Sequence, residues 1–153
     1  MQLRTATVDD AEQLVSLLKD IGWFEASEGD IAEEPSQRVK AQLALTLADD
    51  SHAVYVAEDG AAIIGYISVH WIPYLFMRGP EGYVSELFVR HAARGQGVGR
   101  RLLEWVKTEA RRRGCARLSL INLRNRESYR RQFYVKAGWS ERTEAANFLY
   151  PMA

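Results

Sequence analysis

Tyr83-Val84-Ser85-Glu86-Leu87-Phe88-Val89, then a four-residue turn, then Arg94-Gly95-Gln96-Gly97-Val98-Gly99-Arg100: this stretch decides the fold. The apolar run reads as a strand over residues 82–89. The glycine-rich turn leads into a long helix over residues 97–113, with Val98, Leu102, Leu103, Val106 and Ala110 on one face and Gly114 as its stop. A strand, a glycine turn and a helix start together make an anion cradle. The first helical turn offers N–H groups and the positive end of the helix dipole, and glycines let the backbone approach phosphate oxygens closely. Arg94, Arg100 and Arg101 add charge at the same end. A Walker loop requires Lys-Ser/Thr after its last glycine, where this chain has Arg100-Arg101. A dinucleotide fingerprint wants a small residue where Arg100 stands, and an acidic residue after the next strand. Both patterns fail, leaving Arg-x-x-Gly-x-Gly after an apolar strand.

Upstream, residues 2–6 read as a first strand. Thr7-Val8-Asp9-Asp10 supplies cap chemistry for a helix with Ala11, Leu14, Val15, Leu17 and Leu18 as its stripe. Residues 23–35 carry Glu25, Glu28, Asp30, Glu33 and Glu34 with no basic residue and read as an acidic loop. Ser36 is placed to cap a second helix through Val39, Leu43 and Leu47. Residues 52–58 and 61–70 are two strands around Asp59-Gly60, a strong hairpin signal. Residues 71–77 form an apolar, aromatic connection. Downstream, residues 117–121 read as a short strand, residues 128–137 as a helix ending at Gly138, and Trp139 onward as a final pair of strands. The sum is one α/β sheet, mixed rather than purely parallel.

The 153 residues predict a single domain over residues 1–153, with 47% hydrophobic and 26% charged residues excluding disorder, collagen and coiled coil. One cysteine, Cys115, forms no internal disulfide. Met1 leads into Gln2-Leu3-Arg4 without a signal peptide, and no apolar run is long enough to span a bilayer, so the expected location is cytoplasmic, with no membrane partner. The net charge of zero hides an asymmetry: residues 1–89 hold 5 Lys/Arg against 15 Asp/Glu, and residues 90–153 hold 15 against 5. A basic second half suits an anionic ligand unless the charges intermingle on folding. Overall neutrality argues against a nucleic-acid partner.

Three segments in order resemble the GNAT superfamily of acetyl-CoA-dependent N-acetyltransferases. Residues 4–11 look like its opening strand and turn, Glu86–Val89 with Arg94–Gly99 like its fourth strand and pyrophosphate loop, and Phe133-Tyr134-Val135-Lys136-Ala137-Gly138-Trp139 like its late signature. The resemblance implies a GNAT-like α/β (α+β mixed sheet) acyl-CoA N-acyltransferase fold: a central, mostly antiparallel sheet of about seven strands flanked by about four helices. It implies acetyl-CoA as co-substrate and no metal. Leu87, Phe88 and Val89 would hold pantetheine through main chain beside a bulge in the fourth strand. Arg94, Gly95, Gln96, Gly97, Val98, Gly99 and Arg100 would hold the pyrophosphate. Tyr134 matches the family's acid, with a structural tyrosine as the alternative. Tyr129, Phe133 and Ala137 recur at helical spacing, which sets Tyr134 at the margin of that stripe.

The base is Glu86 or a water. A carboxylate between Val84 and Phe88 on a buried strand is pushed toward a useful pKa, while an ion pair or a solvent-facing edge is the alternative. Glu81 and Ser85 are neighbouring candidates. The chain departs from the family in one place. The positions seven and four before Tyr134, where the family has Asn and Ala, hold Glu127 and Arg130, and Asn125, nine before, is the candidate to reach the cofactor.

Cys115 reads as small core, and His52, His70 and His91 lack metal-ligand spacing. The expected reaction is acetyl transfer to a primary amine of a small molecule. The alternatives are a protein N-terminus or lysine as acceptor, and a non-catalytic acyl-CoA-binding sensor. The acidic loop is placed to attract a cationic amine. Residues 71–77 have three readings: a wall of the acceptor pocket, a homodimer interface, or burial within the monomer.

Overall fold

The computed structural model describes residues 1–23 and 35–152. Its contacts divide into two units, residues 1–121 and residues 122–152. Of the acidic loop expected over residues 23–35, residues 24–34 lie outside the described residues.

The first unit holds a five-stranded sheet in sequential order: β1 (Gln2–Thr5), β2 (His52–Asp59), β3 (Ala62–Ile72), β4 (Glu81–Val89) and β5 (Arg117–Leu120). The first four strands are antiparallel, and β5 runs parallel to β4. That parallel step requires a crossover, supplied by α3 (Val98–Arg112). The hairpin expected at Asp59-Gly60 is present, with Gly60 at φ 61° in the turn.

Alternation gives the sheet two faces. Ile67, Val69 and Trp71 of β3 are buried on the α3 side, where α3 contributes Val98, Leu102, Leu103, Val106 and Ala110. Val54 and Val56 of β2 and Tyr66 of β3 face the other way. There they meet Leu14 and Leu17 of α1 (Ala11–Asp20) and Leu43 of α2 (Pro35–Thr46). Leu17, Leu102, Leu103 and Val106 have no exposed surface; each such side chain contributes about 1.5–3 kcal/mol of burial. The entry to α1 is pinned by Asp10, which accepts two bonds from the Arg4 guanidinium at 2.7 Å and one from the Thr7 N–H at 2.7 Å. Arg4 also meets Glu58 at 2.5 Å.

Three sequence expectations are corrected. Helix α2 starts at Pro35, so Ser36 lies inside its first turn; proline at the first helical position has its φ set for the helix and lacks only an N–H that would go unbonded there. The expected helix over residues 128–137 is two single turns, α4 (Glu127–Arg130) and α5 (Phe133–Lys136), separated by Gln132 in the left-handed region at φ 56°. No strand forms among described residues 139–152, so the sheet has five strands rather than about seven. Phe148, Leu149, Tyr150 and Met152 are exposed there.

The charge asymmetry partly cancels on folding. Arg113 pairs with Asp50 at 2.6 Å, and Arg117 pairs with buried Glu81. Arg94, Arg100 and Arg101 stay exposed. Among the described residues no helix is long and apolar enough to cross a membrane.

Candidate active site

The site starts from an irregularity in β4. Ser68 of β3 pairs with Glu86, but Val69 pairs with Val84, so Ser85 is an extra residue bulged out of the ladder. The parallel ladder to β5 runs from Glu81↔Arg117 to Val84↔Leu120 and stops at the same point. From Ser85 onward, β4 and β5 share no ladder. The Arg90 N–H bonds to the Ile64 carbonyl at 2.9 Å, which fixes the alternation. The peptide groups of Phe88 point at β3, and those of Leu87 and Val89 point to the edge without a β5 partner. The Val89 carbonyl there accepts the Arg94 Nε–H at 3.3 Å.

The glycine turn follows a single 3₁₀ turn at His91–Ala93. Gly95 (φ 78°) and Gly97 (φ 81°) both take the left-handed conformation, and a Cβ built on either would meet nothing within 4 Å. Glycine is thus required here for backbone conformation and for what approaches from outside, not for packing within the chain. Gly97 caps α3, whose first i→i−4 bond runs from the Arg101 N–H to the Gly97 carbonyl at 3.0 Å. The N–H groups of Val98, Gly99 and Arg100 precede that bond and point out of the first turn. The Val98 side chain is buried and anchors the turn to the sheet. The Gln96 amide closes the loop on the Ala92 carbonyl at 3.0 Å. These N–H groups at the start of α3, with Arg94, Arg100 and Arg101 exposed at the same end, fit a pyrophosphate.

Beside the bulge lies a cleft of about 550 Å³ between the sheet and helices α1 and α2. Leu14, Leu18, Val39 and Leu43 form its apolar wall, and Tyr66, Ser68, His70, Ser85 and Glu86 line the sheet side. Glu86 is exposed to water at the cleft. The concave wall still strips enough solvation to raise its pKa above the ordinary carboxylate value, and a hydrogen bond with Tyr66 opposes part of that rise. The loss of regularity at the bulge explains why Ser85 and Glu86 both reach the cleft, where strict alternation would send neighbours to opposite faces.

Two histidines absent from the sequence-derived site complete the cleft. His52 and His70 pair directly across β2 and β3, and their rings stack at 3.7 Å. His52 Nε2 meets the Ser68 hydroxyl at 2.6 Å, and His70 Nε2 meets the Ser85 hydroxyl at 3.1 Å. The Ser85 hydroxyl donates to that of Ser68 at 3.2 Å. Burial depresses both imidazoles, and the neighbouring His70 pushes His52 further, to about 4. The sequence signal was their nearly mirror-image placement about the hairpin turn.

Glu81 is engaged elsewhere, held by Arg117 and by the Ser119 hydroxyl at 2.6 Å. Of the aromatic connection, Trp71 belongs to the core, Tyr74, Leu75 and Phe76 are exposed, and none lines the cleft. Burial pushes the Cys115 thiol up, away from nucleophile chemistry.

Tyr134 and Asn125 belong to the second unit. The Tyr134 ring is half-buried against Phe133 at 5.0 Å and Trp139 at 6.3 Å. Burial raises its pKa, with Arg131 opposing, so the phenol stays protonated at neutral pH. Asn125 is exposed, and its carbonyl accepts a bond from Arg130 at 3.1 Å.

Residues 17–139 match the family model described as acetyltransferase (GNAT) family. An aminoalkylphosphonate N-acetyltransferase of Salmonella typhimurium is 28% identical over 92% of this chain and 85% of its own length. An uncharacterized N-acetyltransferase of Archaeoglobus fulgidus is 31% identical over 88% and 90%. Among solved structures, a transcriptional regulator from Bacillus halodurans aligns with a TM-score of 0.82 at 26% identity, covering 97% of this chain and 99% of its own.

Proposed function

The chain belongs to the GNAT acetyltransferase family and is an acetyl-CoA-dependent N-acetyltransferase; we propose that its acceptor is the primary amine of a small molecule seated in the cleft beside Glu86. The observation that carries this reading is the coincidence at one bulge of three things. They are the end of the β5 ladder, the Leu87 and Val89 peptide groups that face the edge without a β5 partner, and a carboxylate of raised pKa in a cleft. The match to an aminoalkylphosphonate N-acetyltransferase supports a small acceptor, and the family match across residues 17–139 supports one catalytic domain over both units.

Acetyl-CoA supplies the activated acyl group. The peptide groups of Leu87 and Val89 on the open edge of β4 bond the pantetheine arm. The exposed N–H groups from Gly95 to Arg100, with Arg94, hold the diphosphate, and Asn125 is the candidate contact from the second unit. Glu86 takes one proton from the acceptor ammonium, freeing the lone pair that forms the new C–N bond. An N–H of the open β4 edge bonds the carbonyl oxygen as negative charge develops on it. As the C–S bond breaks, Tyr134 gives its hydroxyl proton to the sulfur. The second amine proton is lost to solvent, and Tyr134 is reprotonated from solvent, leaving amide and free thiol.

The test is thermal shift with acetyl-CoA, with ATP and NADH as controls, followed by thiol release against a panel of amines. The panel holds aminoalkylphosphonates, amino sugars, polyamines, and peptides with free N-termini or lysines. Turnover confined to the peptides would replace the small-molecule acceptor with a protein one. Tyr134→Phe should lower turnover while leaving acetyl-CoA affinity in place; an unchanged rate would remove Tyr134 from the chemistry.

A further inference from the structure

The cleft offers polar chemistry that the reacting amine does not use. On its sheet side the hydrogen bonds run in one direction. The Ser85 hydroxyl donates to Ser68 at 3.2 Å, so it accepts from His70 Nε2–H at 3.1 Å. Ser68, receiving that bond, is left to donate to His52 Nε2 at 2.6 Å. Both neutral tautomers follow: His52 carries its proton on Nδ1, and His70 has a bare lone pair on Nδ1. An extra proton on His70 Nδ1 leaves every one of these bonds in place. An extra proton on His52 Nε2 would break the bond from Ser68. The pKa shifts agree in direction, since burial alone depresses His70, while the neighbouring His70 pushes buried His52 further, to about 4. Charge also divides across the cleft. Arg38 lines it from α2 and Glu86 from β4, with both histidines and both serines between the same walls. Arg38 already makes a contact within the protein, and its five N–H donors serve more than one partner.

We propose that the acceptor is a zwitterion: its ammonium sits at Glu86, and its oxyanion group is held by Arg38 and the stacked His52–His70 pair, with His70 taking up one proton from solvent as the oxyanion binds. A ligand whose ammonium faces Glu86 meets, at its other end, a guanidinium and two imidazoles. His52 Nδ1–H is a donor in the neutral state, and His70 Nδ1 becomes one on protonation. An oxyanion gains from all three, because its charge stabilises the imidazolium that burial otherwise disfavours and its oxygens accept charge-assisted bonds. The stack at 3.7 Å limits the uptake to one proton, since the second would place two like charges ring against ring. The groups facing the pair are Glu86, Tyr66 and Tyr83 on the sheet, Arg38 on α2, and Asp49 in the turn before β2; the residues of α1 that line the cleft, Leu14 and Leu18, carry no charge. Phosphonate, phosphate, sulfonate and carboxylate share the required chemistry.

This inference rests on the reading of the cleft as the acceptor site, and its test separates the two. Thiol release from acetyl-CoA is compared for 2-aminoethylphosphonate and its uncharged diethyl ester, which keeps the amine and removes the oxyanion. The parent should favour the free phosphonate in kcat/KM by about tenfold or more. His70→Gln and Arg38→Gln should each shrink that ratio, which a loss of folded protein would leave unmoved. A parent that turns over both amines alike or favours the ester, or a ratio unchanged in both variants, overturns the oxyanion subsite while leaving acetyl transfer in place. Absence of thiol release from the parent with every amine indicts the acceptor reading instead. The subsite is then read without turnover, by NMR titration of the two imidazoles with CoA present. Taurine is the probe, because its sulfonate stays ionised throughout, and ethylamine is the control. Saturating taurine should raise the His70 midpoint by about 1–3 pH units and ethylamine should not. A midpoint that stays in place with taurine, or moves equally with ethylamine, overturns the proposal.

Discussion

Replacing Gly97 by alanine isolates what the glycine turn contributes. The residue sits at φ 81° and ψ 3°, and a Cβ there meets nothing within 4 Å. No steric clash with the chain enters, so the cost is conformational: an L-residue held left-handed loses roughly 1–2 kcal/mol. For a protein of this size, that corresponds to a fall in Tm of about 2–8 °C. Gly60 is the matched control, at φ 61° in the hairpin turn with the same open surroundings. Gly60→Ala should show a similar fall in Tm and unchanged acetyl-CoA affinity. If Gly97→Ala escapes its strain by leaving the left-handed region, binding must restore the cradle. Acetyl-CoA affinity then falls by roughly 5- to 30-fold, the same 1–2 kcal/mol expressed as an equilibrium. Gly97→Glu adds a carboxylate where a diphosphate is expected and should abolish binding, by charge against the ligand and not by crowding the chain. Differential scanning fluorimetry gives Tm, and calorimetric titration gives affinity. Equal affinities for parent, Gly97→Ala and Gly97→Glu would refute the placement of the cofactor at this turn.

Other perturbations follow from the same geometry. Glu86→Gln should lower kcat by about 10²–10⁴-fold with acetyl-CoA affinity intact, and flatten the rise of rate with pH that a carboxylate of raised pKa produces; a parent-like pH profile would assign the base role to water. Leu102→Ala, at a site with no exposed surface between α3 and the sheet, should cost about 2–5 kcal/mol by chemical denaturation. A loss below 1 kcal/mol would contradict that packing. Stability should also depend on pH in two steps. His52 and His70 bind protons less readily folded than unfolded, so stability falls as pH drops from about 6.5 toward the His52 value of about 4. Below that, Asp10, held below the usual carboxylate range by Arg4, must be protonated against its folded preference, and a further loss follows. In His52→Gln/His70→Gln the first step should vanish in urea melts across pH 4–7.

The parts of the fold that announced themselves rest on strong local signals. Asp59-Gly60 fixes the β2–β3 hairpin, and the stripe from Val98 to Ala110 fixes α3. What stayed hidden depends on one-residue offsets. The turn pairs Asp59 with Ala62, and extending that register would set His52 opposite Val69. An irregularity after Ala57 shifts it, so His52 meets His70 and both rings reach one face. The bulge at Ser85 is equally quiet in sequence: two adjacent polar residues within the largely apolar run over residues 82–89. The break at Gln132 carries no signal, since Tyr129, Phe133 and Ala137 keep helical spacing across it and glutamine is a good helix former. The strands expected after Trp139 illustrate the limit of pattern in the other direction. Apolar residues there satisfy strand preference, but the described structure leaves that segment without a ladder.

Ser85 has one further consequence, for protein engineering. Counting along the paired strands, β4 carries one residue more than β3 needs between Val84 and Glu86. Removing it would leave Val84 toward α3 and Glu86 toward the cleft, in the same register with β3 and with ordinary alternation. The shortened strand would be straighter and free to extend its ladder to β5 past Val84. Selection for thermostability alone should therefore favour a deletion at this position, and the variant it yields would be a sturdier protein with its acyl-donor slot sewn shut.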